Sequence, residues 1–503
     1  MGGPGNVLEA TLNAVAFLLC SSFIAYVLLI LVPFVRRRPA VPGDARAFGW
    51  HFIIPCLDEQ AVIAVTVKRV LKSFPTAEVW CVDDASGDAT PVVLARLARR
   101  HRRVHLVARS LPDARQGKGS ALNAGWRALR ADLPAGVDTS RLIVGVVDAD
   151  GRLDPSCLSM IAGPSFLGNP EVGAVQIKVR VTASHDPTIA EPRRVARLLV
   201  RLQDVEFSCV VAAMQTLRRH VGTVGMGGNG QFTRLSILEK IAEEHGTPWH
   251  GALLEDFELG LHVLLCGSRT EYCHDASVTQ EGLPTARQLI RQRSRWAQGS
   301  MQCFRYLMPI LRCGRISSGG ALEIAYFLCM PWLQLLGSVV YGLCVVIVVH
   351  YAVTFPGGAM AWLTGGAWGT IPLFLCFGLG PFVVWGPIYR MTASRTDMSI
   401  PMALGLGLAN WLYLAVHYLA IWWAFARVVR TRTDWKKSAR LSVEPGSLAE
   451  APFVALPAVA RLDPTGSAIG PRAVLGRLRF PTPPTGGAPV AELPSVDTGR
   501  VHA

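Results

Sequence analysis

Acidic residues set directly behind strongly apolar runs are the part of this chain best placed to do chemistry. The segment VWCVDDAS puts Asp83 and Asp84 at the end of one such run, and VGVVDADG does the same with Asp148 and Asp150. A carboxylate is costly inside a core, so acids at these positions belong at strand ends that face a cleft. Alternate side chains of an extended strand share a face, and the Asp-Ala-Asp spacing therefore aims both acids the same way. Two hard oxygen donors on one face suit Mg2+ or Mn2+, which completes its shell with water and phosphate oxygens. A lone Asp-X-Asp is more often a solvated turn; the apolar run LIVGVV ahead of this one weighs against that.

Four other segments supply complementary groups. In LLEDFELG, Glu255 and Asp256 stand ahead of a helix-like stretch. Acids there are either favourable capping charges or a general base that takes a proton from an attacking hydroxyl. QRSRW at 292–296 offers Arg295, a fixed fork of donors for a diphosphate, and Trp296, a flat face for a sugar ring, with Gln292 one turn before. GKGSALN at 117–123 places Lys118 at the mouth of a helix, where backbone N–H groups also favour a diphosphate. It lacks the glycine spacing and Lys-Ser/Thr ending of a nucleoside triphosphatase loop. GMGGNGQFTR, with Gly228, Asn229 and Gly230, is either a tight turn or part of a binding floor, and it lacks the context of a dinucleotide site.

These groups need a scaffold. The runs 51–55, 78–84, 104–108, 142–148 and 172–178 are β-branched and apolar, and 60–73, 90–102 and 119–131 between them have helical periodicity. Such alternation predicts an α/β domain with a mostly parallel, doubly wound sheet over about 45–284. Ligands of such sheets bind beyond the carboxyl ends of the strands, where Asp83, Asp84, Asp148 and Asp150 fall.

The rest of the chain points to a membrane. Half of the residues are hydrophobic and the mean hydropathy is +0.32. Residues 11–35 carry no charge and are long enough to span a bilayer. Glu9 precedes them and Arg36, Arg37 and Arg38 follow, the wrong polarity for a cleaved signal and the right one for an anchor leading into the cytoplasm. Residues 285–315 hold an apolar stripe of Ala297, Met301, Phe304, Met308 and Leu311, with Arg287, Arg291, Arg293 and Arg305 mostly off it, which predicts an interfacial helix. A block at 321–426 has three apolar stretches, near 321–350, 370–389 and 401–426, with an external loop near 351–369. Three full spans after a cytoplasmic domain would leave the tail outside, yet 427–444 is strongly basic, so one stretch is expected to be re-entrant or interfacial and the tail cytoplasmic. The Pro-, Ala- and Gly-rich segment 445–503 lacks the apolar content to order itself.

The net charge of +14, carried by 43 Arg and 7 Lys, clusters beside these apolar segments and not in a stripe interleaved with aromatics, which argues against nucleic acid. Twelve cysteines are scattered singly without metal-ligand spacing, as expected of small buried hydrophobes in a reducing compartment.

Taken in order, PCLDEQ at 55–60, VDDAS, GKGSALN, Asp-Ala-Asp, GGNGQFTR, LEDFELG and QRSRW resemble the family-2 glycosyltransferases. The likeness is strongest to the membrane-embedded branch that makes cellulose, chitin, hyaluronan and poly-N-acetylglucosamine. It covers about 50–300 closely, with Leu254 standing where many members have Thr. It implies a GT-A-like domain between membrane helices of a bacterial inner membrane, and an inverting hexosyl transfer from a UDP-sugar. By the same likeness Glu59 and Asp83, with Asp84 near by, contact the uridine, while Lys118 and Arg295 steady the diphosphate. Asp148 helps bind UDP and Asp150 holds Mg2+ or Mn2+. Asp256, beside Glu255, is the base. Gln292 and Trp296 bind the acceptor above a floor that includes Gly228, Asn229 and Gly230. The expected product is a β-linked polysaccharide moved across the membrane, with secretion or accessory subunits as possible partners. The alternative is a single sugar placed on a lipid, and an inert transferase-like domain on a transporter or scaffold is disfavoured by the intact acids.

Overall fold

The computed structural model describes residues 4–183, 194–354, 357, 374–392 and 398–431. The chain divides into Met1–Val443 and Glu444–Ala503. The second unit, most of the loop expected at 351–369 and the basic residues beyond 431 lie outside the described residues.

One sheet holds eight strands: β1 (Gly49–Cys56), β2 (Glu78–Asp83), β3 (Val104–Ala108), β4 (Leu142–Val146), β5 (Arg152–Leu153), β6 (Val172–Thr182), β7 (Gln231–Arg234) and β8 (Arg269–Glu281). Their order is β3-β2-β1-β4-β7-β6-β8-β5. The expected runs form β1 to β4 and β6. β1 lies parallel to both β2 and β4, with Phe52 opposite Val79 on one side and Gly145 on the other. Both faces are covered, which is why the strands read as unbroken apolar runs. Ile53, Val82 and Val144 enter one core, while Phe52, Ile54, Cys81 and Ile143 enter the other.

Beyond β4 the sheet departs from a purely parallel one. β7 runs antiparallel to β4 and to β6, so the sheet is mixed. The segment GMGGNGQFTR ends as this strand: positive φ at Gly228 (75°) and Gly230 (74°) turns the chain into its place between β4 and β6, a conformation open to glycine at little cost.

The helices are α1 (Pro4–Val35), α2 (Ile63–Ser73), α3 (Thr90–Arg100), α4 (Lys118–Asp132), α5 (Cys157–Ile161), α6 (Arg194–Val205), α7 (Ala212–Val221), α8 (Leu235–His245), α9 (Glu255–Leu265), α10 (Ala286–Cys303), α11 (Leu307–Arg312), α12 (Ser318–Thr354), α13 (Gly380–Val383), α14 (Trp385–Thr392) and α15 (Ile400–Val429). A π-helical stretch, Glu206–Val211, joins α6 to α7. Helices α2, α3 and α4 fall where periodicity placed them. On α10, Met301 of the expected stripe is buried, whereas Phe304, Met308 and Leu311 beyond it are exposed.

Among the described residues three stretches are long and apolar enough to cross a membrane: Ala14–Val35, Ser318–Ile347 and Ile400–Val429. The first is not a detached anchor. Tyr26, Val27, Ile30 and Phe34 are buried in the same core as one face of the sheet. The stretch expected at 370–389 is instead broken into a π-helical turn (Phe374–Leu379), α13 and α14. Gly380, Pro381 and Pro387 account for the breaks, since proline lacks the N–H that continues a helix.

Helices α13 and α14 both meet α15 backbone to backbone. A Cβ on Gly386 would lie 2.0 Å from the carbonyl oxygen of Ala403, and one on Gly407 would lie 2.3 Å from that of Val383. Small residues at such crossings let helices approach in a setting where hydrophobicity alone does not drive them together. Gly386→Ala is therefore expected to destabilise this block by about 1–3 kcal/mol, the usual range for overpacking. A lowered melting temperature in detergent, measured against an exposed control such as Leu322→Ala, checks this.

Candidate active site

The loops after β1 and β2 are stitched together by short polar side chains. Asp58 accepts from the Gly87 N–H at 2.7 Å, the Glu59 N–H donates to Thr90 Oγ1 at 2.8 Å, and the Gln60 N–H donates to Asp88 at 3.1 Å. This fixes Glu59, which is 5% exposed, at the wall of a cavity. Asp83 and Asp84 are both buried at the end of β2. Asp84 lines the cavity and pairs with Arg109; Asp83 turns aside and accepts from the Ser86 N–H at 3.3 Å. Burial raises the Asp83 carboxyl against the opposing effect of Ser86.

Beyond β4, Asp148 and Asp150 both line the same cavity. Asp148 accepts from Lys118 Nζ at 2.8 Å, and Asp150 accepts from the Glu281 N–H at 3.2 Å. Among the described residues no three His, Cys, Asp or Glu side chains gather into a closed ligand set. A pair of carboxylates at one strand end is nevertheless the donor set that Mg2+ or Mn2+ takes when phosphates and water complete its shell.

The glycine segment is held by residues that the motifs did not single out. Buried Gln176 accepts from the Gly227 N–H at 2.8 Å and donates to the Asn229 carbonyl at 2.9 Å. The sequence signal was a lone amide inside the run VGAVQIK. Asn229 spends its side chain on the scaffold, accepting from the Asp148 N–H at 3.2 Å and donating to Gln280 at 2.9 Å. Gly230 faces Ile177 and Val278, either of which would lie 2.7 Å from a Cβ there. Gly228 packs against the site itself: a Cβ would lie 2.6 Å from Asp256 Oδ2 and 3.1 Å from Lys118 Nζ.

Glu255 and Asp256 open α9 and line the cavity. Glu255 stands 4.0 Å from Lys118, which thus sits between Asp148 and the Glu-Asp pair. Burial raises both carboxyls, and for Glu255 the charge of Asp256 adds to it, while Lys118 pulls each back down. For Lys118 burial favours the neutral amine, but Asp148, Glu255 and Asp256 outweigh it and hold the ammonium charged. On α10, Gln292, Arg295 and Trp296 share the face that lines the cavity, as their spacing requires. Burial lowers the Arg295 guanidinium and Glu255 opposes that.

These side chains surround a cavity of about 600 Å3. It extends past Trp296 to Phe327, Met330, Pro331 and Gln334 of α12 and to His417, Ala420 and Ile421 of α15. Strand-end carboxylates and two membrane-type helices therefore share one space.

Residues 49–299 match the model described as glycosyltransferase like family 2. They form a family-2 glycosyltransferase domain. The match ends just beyond QRSRW, so the glycosyltransferase domain includes all seven motifs. Relatives are the beta-monoglucosyldiacylglycerol synthases of Synechocystis sp., 28% identical over 277 residues (54% of this chain and 51% of the relative), and of Nostoc sp., 30% identical over 260 residues (51% and 49%). The N-acetylglucosaminyltransferase of Rhizobium meliloti is 27% identical over 287 residues (55% and 60%). The chain spans about half the length of the two synthases. A solved mannosyltransferase of Pyrobaculum calidifontis, in complex with GDP-Man and Mn2+, superposes with a TM-score of 0.53 at 17% identity, covering 84% of this chain and 99% of that one. The GT-A-like α/β fold is common to both.

Gly228→Ala in the glycosyltransferase domain would force a strained φ and push Asp256 aside. Transfer is expected to fall on the order of 100-fold, the cost of an ångström-scale misplacement of a reacting group. Gly136→Ala, where a Cβ meets nothing within 4 Å, controls for the backbone effect of replacing a positive-φ glycine. Equal losses in the two variants would show that the approach to Asp256 is not what matters.

Proposed function

We propose that this protein moves one hexose from a UDP-sugar to the hydroxyl of a membrane lipid, with inversion at the sugar carbon. The observation that carries this reading is the continuity of the cavity from Asp148, Asp150 and Asp256 to apolar side chains of α12 and α15. A water-soluble acceptor has no need of such a wall, whereas a lipid can present its headgroup while its chains stay in the bilayer. The names of the Synechocystis and Nostoc relatives support the same acceptor class. The polymer expected from the sequence thereby becomes the second reading. The membrane topology proposed here keeps the domain on the cytoplasmic side, where nucleotide sugars are made.

In the reaction the acceptor oxygen attacks the anomeric carbon as the bond to the β-phosphate oxygen of UDP breaks. Asp256 takes the hydroxyl proton, and its raised affinity for protons suits that task. Lys118 and Arg295 meet the charge left on the departing diphosphate. Asp150 with Asp148 would hold a divalent ion, which when bound neutralises further phosphate charge. Glu59 and Asp84 line the nucleotide end, and Trp296 and Gln292 form the acceptor wall.

Purified protein in nanodiscs, given UDP-sugars with Mg2+ or Mn2+, should release UDP only when a hydroxyl-bearing lipid is present. Asp256→Asn should reduce release by at least about 100-fold, the scale of general base catalysis. UDP release indifferent to lipid, or preserved in Asp256→Asn, would sink the reading.

The pH dependence follows from the sign of the shift. A base with a raised pKa is lost as pH falls through that value, so the acidic limb of activity should lie above about pH 4, where an ordinary carboxylate titrates. A rate–pH profile whose acidic limb stays near pH 4 would show that no buried carboxyl limits the rate.

A further inference from the structure

Between the carboxylates and the apolar end of the cavity lies a polar cluster to which no motif pointed. The π-helical stretch after α6 begins at Glu206, and such insertions into helices recur at functional sites. Glu206 pairs with Arg293, the second residue of QRSRW, at 2.5 Å. The Arg293 guanidinium lies over the ring of Trp296, 4.1 Å from its centroid, and 5.5 Å from that of Phe207. It also donates to Gln292 Oε1 at 3.0 Å. From α15, the Tyr413 hydroxyl donates to Glu206 at 2.9 Å, and His417 Nε2 stands 3.9 Å from the other carboxylate oxygen. Glu206, Arg293 and His417 all line the cavity.

Two properties of this cluster point to a ligand. First, it keeps free hydrogen-bonding capacity. His417 lines the cavity and keeps 28% of its side chain open, while its Nε2 faces Glu206. An open imidazole beside a carboxylate can both donate to and accept from a hydroxyl. Second, the charges are compensated. Arg218, the other cavity-lining arginine on this side, is matched by Glu323 at 2.8 Å. The remaining cavity cations, Lys118 and Arg295, stand with the carboxylates of the donor end. A lipid phosphate seeks an uncompensated cation, so a neutral group with hydroxyls to donate and accept suits this wall better.

We propose that Glu206, Arg293 and His417 form the subsite for the headgroup of the lipid acceptor, and that they select an uncharged, hydroxyl-bearing headgroup over a phosphate-bearing one. This rests on the reading of the chain as a lipid glycosyltransferase. The headgroup sits beside Trp296, with its chains along Phe327, Met330 and Ile421.

The test uses the full chain in phosphatidylcholine nanodiscs containing a photoreactive diacylglycerol. Crosslinking should be competed by unlabelled diacylglycerol at a mole fraction at least five times lower than by phosphatidic acid with the same chains. His417→Ala and Glu206→Gln should each reduce competable crosslinking at least fivefold. His417→Ala carries the test if Glu206→Gln fails to fold. Equal competition by phosphatidic acid, absence of competable crosslinking, or a yield unchanged in His417→Ala would overturn the subsite. Lipid-dependent UDP release in the same nanodiscs separates the two claims. Release in the wild type with crosslinking indifferent to His417→Ala defeats the subsite alone. No lipid-dependent release, with crosslinking that responds as predicted, defeats the transfer reading while the headgroup site stands.

Discussion

Repulsion between like charges is the constraint around which the site is built. Asp148, Glu255 and Asp256 crowd one end of a cavity where burial already penalises their ionisation. Left alone, such a group would take up protons or push apart. Lys118 opposes both without abolishing the first, by touching Asp148 at 2.8 Å and reaching Glu255 at 4.0 Å from the start of α4. Gly228 matters for the same reason, because a side chain there would occupy the space in which Lys118 and Asp256 approach each other. The rest of the architecture delivers these groups to one point: parallel strands end together, β7 returns the glycine segment beside them, and α9 starts at the acids.

A second constraint joins this polar centre to the bilayer. Buried ion pairs contribute little net stability, since desolvation offsets much of their attraction, but removing one partner is costly. Here they tie elements of different origin. Arg218 of α7 binds Glu323 of α12, which also accepts from Tyr26 of α1 at 3.1 Å. Asp204 of α6 accepts from Arg180 of β6 at 2.9 Å and from Tyr389 of α14 at 2.7 Å. With Glu206, Arg293 and Tyr413 these contacts fix the membrane-type helices in register with the carboxylate end, so that the cavity wall is continuous.

What could be read from the residues alone follows from how each signal arises. β1, β2 and β4 were legible because strands covered on both faces must be apolar throughout. β8, with the sequence RTEYCHDASVTQE, was not, since polar side chains interrupt it and its place depends on pairing with β6. Helices α6 and α7 escaped notice for a related reason: their apolar residues are divided between a core, the cavity and an exposed face that includes Val195 and Leu198. The motif acids, Lys118, Gln292, Arg295 and Trp296 were found by type and spacing, and most of them line one cavity. Arg293 lies off the apolar stripe of its helix yet is buried, because its partner Glu206 lies 87 residues earlier and no local pattern announces it. The middle apolar stretch of the C-terminal block had the hydropathy of a span, but Gly380, Pro381 and Pro387 decided its course.

The central claim is that the acceptor is a lipid drawn from the bilayer into the cavity, and product identity tests it most directly. Nanodiscs containing the protein and a defined hydroxyl-bearing lipid would be incubated with a UDP-hexose and extracted, and both phases analysed by mass spectrometry. The account predicts a lipid heavier by one hexose residue, joined with inverted configuration, and no glycan in the aqueous phase. A growing glycan in the aqueous phase, with the lipid recovered unchanged, would contradict it.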